Sequence, residues 1–163
     1  MARRAFFSFH YENDVWRANV VRNSWVTKDS KEAAGFIDAA DFEEIRKGGD
    51  SAIKNWIDGQ LYNTSVTVVL IGSDTSNRSY VQYEVQRSYE RGNGMLGIHI
   101  HGIKDQSGNT SEKGDHYFGE IGKDSGGNAI YFGSKYKIYD WVTDGGYTNM
   151  GSWIEAAAKA AGK

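Results

Sequence analysis

Apolar residues along this chain change rhythm several times, and each change predicts a new element. Arg4 to Phe9 is compact and aromatic and closes on a polar turn, which predicts a first strand. Asn13 or Asp14 can cap the helix that follows, where Val15, Trp16, Ala18, Val20 and Val21 recur at helical spacing. Gly35 to Asp38 predicts a short second strand, followed by an acidic loop ending in Gly48-Gly49. Asp50 then caps a helix with Ile53, Trp56, Ile57 and Leu61 on one face. Val66 to Ile71 is apolar on both faces, as a central parallel strand covered by helices requires.

Ser79 and Gln82 have capping-box spacing and open a helix that Gly92 ends. A strand follows at Met95 to His101. Residues 102–134 are rich in Gly, Asp, Asn and Ser and show little periodicity. Tyr136 to Val142 alternates like a last strand, and Ser152 with Glu155 forms another capping box, opening an Ala-rich terminal helix. Strand and helix alternate five times, so the expected fold is α/β with a parallel sheet, as one domain over residues 1–163. In such sheets a ligand sits beyond the carboxyl ends of the strands, where strand order reverses. In a flavodoxin-like order the loops after Phe9 and Ile71 flank that crevice. Physics alone therefore points to Ser8–Asp14 and Ser73–Glu84.

Composition narrows the class further. At 163 residues, 39% hydrophobic and 13% aromatic, the chain has ample apolar area for a folded core. A net charge of −2, with no run of four Lys/Arg, argues for neither nucleic acid nor anionic membrane as partner. Without cysteine there is neither disulfide nor thiolate chemistry, which fits a cytoplasmic address. The basic, apolar start is too short for a secretory signal, and no run approaches the roughly 20 apolar residues that span a bilayer.

Four segments, in order, resemble the TIR-domain family. Arg4-Ala5-Phe6-Phe7-Ser8-Phe9 with Asp14 resembles its opening strand and acidic loop, and Gly35 through Asp41 its second strand and BB loop. Asn63 to Gly72 is similar to the central strand. Asn77 to Glu84 resembles the catalytic helix, with Tyr80 at the family's aromatic position four residues before its glutamate. Phe6-Phe7-Ser8-Phe9-His10-Tyr11, Val20-Val21-Arg22-Asn23 with Trp25-Val26, Asn63 to Thr67 and Tyr139-Asp140-Trp141-Val142 resemble more closely the TIR-like subunits of bacterial Thoeris anti-phage systems. Two features depart from the wider family. The usual BB-loop proline is missing, and Val81 stands where many TIR domains have cysteine.

The resemblance implies a five-stranded, mostly parallel flavodoxin-like sheet with helices on both faces. It also implies an enzyme that cleaves NAD+ at the nicotinamide–ribose bond and closes the remainder into a cyclic ADP-ribose isomer. NAD+ is then the substrate, and no cofactor or metal is implied. The messenger would reach a downstream effector by diffusion, after a phage-derived trigger and with homo-oligomeric assembly. Glu84 is the implied catalytic residue. Phe7, Ser8, His10, Tyr11, Asn13, Asp38 and Tyr80 are the implied substrate contacts.

Each residue also has a plainer reading. Glu84 alone could be a surface glutamate facing Arg87 or Ser88 one turn on, worth about 0.2–0.5 kcal/mol. Tyr80 could pack on the preceding strand, Asn13 or Asp14 could only cap, and Asp38 could serve a turn. His99 and His101 share a strand face without an evident third metal ligand. For the whole chain the alternatives are a non-catalytic TIR scaffold and, more remotely, a phospho-receiver. A scaffold would not need a carboxylate aimed into a crevice. A phospho-receiver needs an acceptor Asp at a strand end with a downstream Lys, but Asp74 is a poor candidate and no Lys directly follows the last strand.

Overall fold

The computed structural model describes residues 3–26, 31–35 and 39–163. Five parallel strands form the central sheet in the order β2-β1-β3-β4-β7. These are β1 (Arg3–Ser8), β2 (Lys31–Ala34), β3 (Val66–Ile71), β4 (Gly94–His99) and β7 (Ile138–Asp140). The helices are α1 (Tyr11–Val26), α2 (Ala39–Lys47), α3 (Gly49–Leu61), α4 (Ser79–Glu90), α5 (Phe132–Lys135) and α6 (Gly146–Ala160). A hairpin of β5 (Glu120–Lys123) and β6 (Ala129–Tyr131) lies outside the sheet. This is the flavodoxin-like order, with the switch of direction between β1 and β3. No helix among the described residues is long and apolar enough to cross a membrane.

Strand alternation divides the core into two sides. Ala5 and Phe7 of β1 join Val66, Val68 and Leu70 of β3 in a cluster with Val21 and Trp25 of α1 and Met150 and Ile154 of α6. The opposite face carries Val69 and Ile71 against Val81 and Val85 of α4, while Phe6 packs on Ile53 and Ile57 of α3. All six positions of β3 are buried, as its unbroken apolar pattern required. One consequence reaches the site. Ser8 is two residues beyond Phe6, so its side chain shares the α3/α4 face of the sheet.

Several local expectations need correction. The second strand is Lys31–Ala34, directly before the expected Gly35, and residues 36–38 lie outside the described residues. The acidic loop is largely helix α2, because a charged surface helix carries too little apolar periodicity to announce itself. The helix α1 starts at Tyr11, so Asn13 and Asp14 sit in its first turn, where the Asp14 amide donates to the His10 carbonyl at 2.9 Å. Gly48 rather than Asp50 takes the cap of α3, and Asp50 pairs instead with Lys54 at 3.1 Å. Ser79 makes no side-chain cap either. Gln82 reaches back past it to the Ser76 carbonyl at 2.9 Å. The terminal helix opens at Gly146, leaving Ser152 and Glu155 inside it. Strands β4 and β7 are shorter than expected and end at His99 and Asp140.

The segment 102–134 is ordered by two copies of one turn. In Asp105-Gln106-Ser107-Gly108-Asn109 the aspartate accepts from the Ser107 and Asn109 amides at 2.9 and 3.0 Å. Asp124-Ser125-Gly126-Gly127-Asn128 repeats the arrangement at 2.9 Å for both the Gly126 and Asn128 amides. Between them Gly114 packs directly on the Gly72 carbonyl at the end of β3. Phe118, Ile121 and Phe132 then join the buried cluster on the α4 side. The stretch that showed least periodicity thus supplies part of the core.

The seating of α6 on the sheet is testable away from any site. A Cβ at Gly94 would lie 2.3 Å from the Ala157 carbonyl oxygen, a backbone atom that moves only with the helix. Gly94→Ala should therefore cost about 1–3 kcal/mol and lower Tm by about 2–4 °C for each kcal/mol. Gly151→Ala, whose Cβ would meet nothing within 4 Å, should be neutral or stabilising. Equal melting temperatures for the two variants would overturn this account of the packing.

Candidate active site

The Glu84 carboxyl lies on the inner face of α4, against β1. Ser8 Oγ donates to Glu84 Oε1 at 3.0 Å, and Ser8 and Glu84 are 0% and 7% exposed. The plainer reading of Glu84 fails on geometry. Arg87 turns outward to Asp58 at 3.0 Å and to Glu90 at 2.7 Å. Ser88 Oγ donates to the Glu84 backbone carbonyl and lies 2.7 Å from Thr67 Oγ1. Burial raises the Glu84 pKa to about 8, and the hydrogen bond from Ser8 opposes only part of that rise. Burial therefore favours the protonated carboxyl at neutral pH.

Glu84 borders a cavity of about 470 Å³ that opens at the carboxyl ends of β1 and β3. This is within the size range of small-molecule sites. His10 and Tyr11 contribute from the start of α1, Arg46 from α2, Ile53 and Trp56 from α3, and Arg78 and Tyr80 from the start of α4. The walls mix aromatic and aliphatic surface with a few charges. Arg46 pairs with Glu12 at 2.6 Å and Glu43 at 3.3 Å, while Arg78 pairs with Asp74. Two guanidiniums on one cavity are suited to a diphosphate, which each can meet with two parallel donors.

Of the residues singled out in the sequence, Glu84, His10, Tyr11 and Tyr80 meet on this cavity. Tyr80 lines the cavity and also packs against the Phe6–Ile53–Ile57 cluster of β1 and α3, where its plainer reading placed it on the preceding strand, β3. Phe7 borders the cavity, but its side chain is fully buried on the opposite side of the sheet. Ser8 lies beneath the site and holds Glu84. Asn13 is exposed, lies outside the cavity lining, and donates to Asp14 Oδ1 at 3.2 Å. Asp38 falls outside the described residues.

Asp14 proves to be a brace. Its Oδ2 accepts from Thr75 Oγ1 at 3.2 Å, and Thr75 Oγ1 in turn accepts from the Gly72 amide at 2.8 Å. A Cβ at residue 72 would lie 2.2 Å from that carboxylate, so only glycine lets α1 and the loop after β3 meet this closely. Burial raises the Asp14 pKa, against the hydrogen bond from Thr75. Arg17 anchors the other flank, donating to the carbonyls of Ile103 at 2.6 Å and Asn109 at 2.9 Å.

Arg46, Trp56 and Arg78 escaped the sequence reading. Trp56 has the spacing of a core residue, and Arg46 lies in what read as a loop. Only Arg78 carried a signal, through its place in the Ser73–Glu84 loop. His99 lies near His101 and His116, with ring centroids 5.8 and 6.1 Å apart. Among the described residues, no group of three or more His, Cys, Asp or Glu is arranged to hold a metal ion.

Comparison with known proteins agrees with this geometry. Residues 6–105 match the family described as "Thoeris protein ThsB, TIR-like domain". The chain is 40% identical to "Putative cyclic ADP-D-ribose synthase ThsB1" of Bacillus cereus (strain MSX-D12), over 94% of this chain and 100% of that protein. The family span contains the end of β1 from Phe6, the α1 brace, both cavity arginines and Glu84, so the match covers every residue of the cavity lining. This chain belongs to the TIR-like domain family of Thoeris ThsB proteins.

Proposed function

We propose that the protein cleaves NAD+ at the nicotinamide–ribose bond and closes the ADP-ribosyl remainder into a cyclic ADP-ribose isomer, a diffusible signal for a partner effector in anti-phage defence. One observation carries the reading: a buried carboxyl, oriented by Ser8, faces an aromatic-lined cavity beside two arginines. The name of the Bacillus cereus relative supports the product class.

The chemistry needs one anion and no general acid. As the C1′–N bond breaks, its electron pair stays on the nicotinamide nitrogen, so the leaving group departs neutral. Positive charge develops on the ribose, where a preorganised carboxylate favours the transition state over the ground state. NAD+ also supplies the means of ionising Glu84. A cationic nicotinamide ring entering a desolvated cavity favours the charged carboxylate and expels its proton. Arg46 and Arg78 would exchange their exposed acidic partners for the diphosphate. Tyr80 and Trp56 offer flat surfaces to the bases. A scaffold without catalysis would leave the buried carboxyl unexplained.

The deciding experiment incubates NAD+ with purified protein and with lysate of phage-infected cells expressing it, and resolves nicotinamide and nucleotide products by chromatography. Glu84→Gln should lower nicotinamide release by about 10²–10³-fold. Retention of full activity by that variant, in a preparation where the wild type is active, would sink the assignment. Ser8→Ala removes the one hydrogen bond that lowers the Glu84 pKa, so the acid limb of kcat/KM should move to higher pH. A limb at the wild-type position would show that Ser8 does not tune the carboxyl.

The same burial fixes a stability signature. Glu84 titrates near 4.5 when exposed and at about 8 in the folded chain, so between these values the folded state holds the extra proton. Stability is then lost as pH rises through that window, by at most about 1.4 kcal/mol per pH unit. Glu84→Gln cannot ionise. Its stability advantage over the wild type should grow from pH 5 to pH 8 in paired denaturant titrations, and a constant difference would contradict the buried titration.

A further inference from the structure

Cleavage leaves a second step, with a further proton to place. When a hydroxyl captures the ribosyl cation, its oxygen bonds to C1′ and its proton must go elsewhere. His10 is the imidazole on the cavity wall. It sits between the end of β1 and the first turn of α1, on the same short stretch of chain as Ser8. Its Nδ1 is enclosed without a hydrogen-bond partner among the described residues, which leaves Nε2 as the ring nitrogen able to meet a ligand. The charged groups facing it are Arg78 of the α4 entrance, Asp74 of the preceding loop, and Asp14 and Glu12 of α1.

That position selects which hydroxyl it can serve. Arg78 faces both His10 and the proposed diphosphate position, so His10 lies toward the phosphate end of the substrate. The hydroxyls next to the diphosphate on its adenosine side belong to the second ribose. Building on the proposed NAD+ cleavage, we infer that His10 is the general base of the cyclising step, accepting at Nε2 the proton of the substrate hydroxyl that attacks C1′. The step balances. One C–O bond forms, one O–H bond breaks, nicotinamide has already left with the C–N pair, and the imidazolium returns its proton to solvent after product release. Burial and Arg78 lower the His10 pKa, which keeps the ring neutral and basic at neutral pH.

The test separates the two steps by reading nicotinamide and the cyclic fraction of product independently. His10 borders the substrate cavity, so the readout for His10→Asn is the cyclic share of product per nicotinamide released. General base catalysis is worth about 10²–10⁴-fold, so the cyclic fraction should fall by at least tenfold, with linear ADP-ribose making up the difference. In the wild type the cyclic fraction should also decline below the ordinary imidazole value of 6.5. That pH dependence should vanish in His10→Asn, a readout that a purely structural role would not move. His10→Gln serves as the second variant should His10→Asn unfold.

An unchanged cyclic fraction in the folded variants would overturn the inference. So would loss of nicotinamide release at an unchanged Tm, because His10 would then act in the first step. A wild type that makes only linear ADP-ribose would remove the cyclising role while leaving NAD+ cleavage intact. A wild type that releases no nicotinamide, even in infected-cell lysate, would remove both.

Discussion

The contact on which the site depends is the hydrogen bond from Ser8 to Glu84 across the interface of β1 and α4. It joins an element fixed by sheet pairing to one fixed by side-chain packing, and it is buried except where Glu84 borders the cavity. Each partner follows from a separate periodicity. Ser8 faces α4 because it is two residues from Phe6 on a strand. Glu84 faces β1 because Val81 and Val85, its neighbours in chain and at helical spacing, are pinned against Val69 and Ile71. Neither side chain can leave without unpacking its element. The carboxyl is therefore positioned at the cost of its charge, and burial favours its neutral form.

That neutrality makes the site responsive to what enters it. A solvated glutamate is anionic whether or not substrate is present and gains little from a nearby cation. A desolvated one changes state on meeting a positive ring, and its anion then acts in a medium of low dielectric where the interaction counts for most. Stability given up at the active site is an ordinary accompaniment of such an arrangement. The hydrophobic clusters on both faces of the sheet supply the stability against which that loss is set.

Much of this was legible in the sequence, and the reasons differ by residue. Val66–Ile71 announced a central strand because burial on both faces leaves no polar phase. The crevice followed from strand order, and Glu84 was singled out by its place on the helix after the buried strand and by the family resemblance. The parity argument that sets Ser8 against Glu84 was also available, but it needs to be known which face α4 covers. The capping assignments failed because Ser and Asp near a helix start have several ways to be satisfied, as Asp50 shows with Lys54. The helix α2 was hidden by its charge. Residues 102–134 were hidden because their order rests on Asp–Gly–Asn turns and on contacts distant in sequence, neither of which leaves a period. That segment nevertheless closes the end of the sheet, where Gly114 meets Gly72 and Arg17 ties α1 to Ile103 and Asn109.

The charges around the cavity suit the proposed substrate. Arg46 and Arg78 are paired with exposed carboxylates, Glu12 and Asp74, that solvent can take over. Glu84 borders the same cavity, and its pKa is set by burial and Ser8 rather than by either guanidinium. Had the arginines been buried with Glu84, a tight ion pair would have fixed the anion permanently and spent its field on the protein. Separation keeps the carboxyl uncommitted until a cation arrives. Asp14, buried close by, could have spoiled this arrangement as a second charge. It is instead engaged with Thr75 and closed off by the main chain at Gly72, which makes it part of the frame, while Glu84 is the buried carboxyl that borders the cavity.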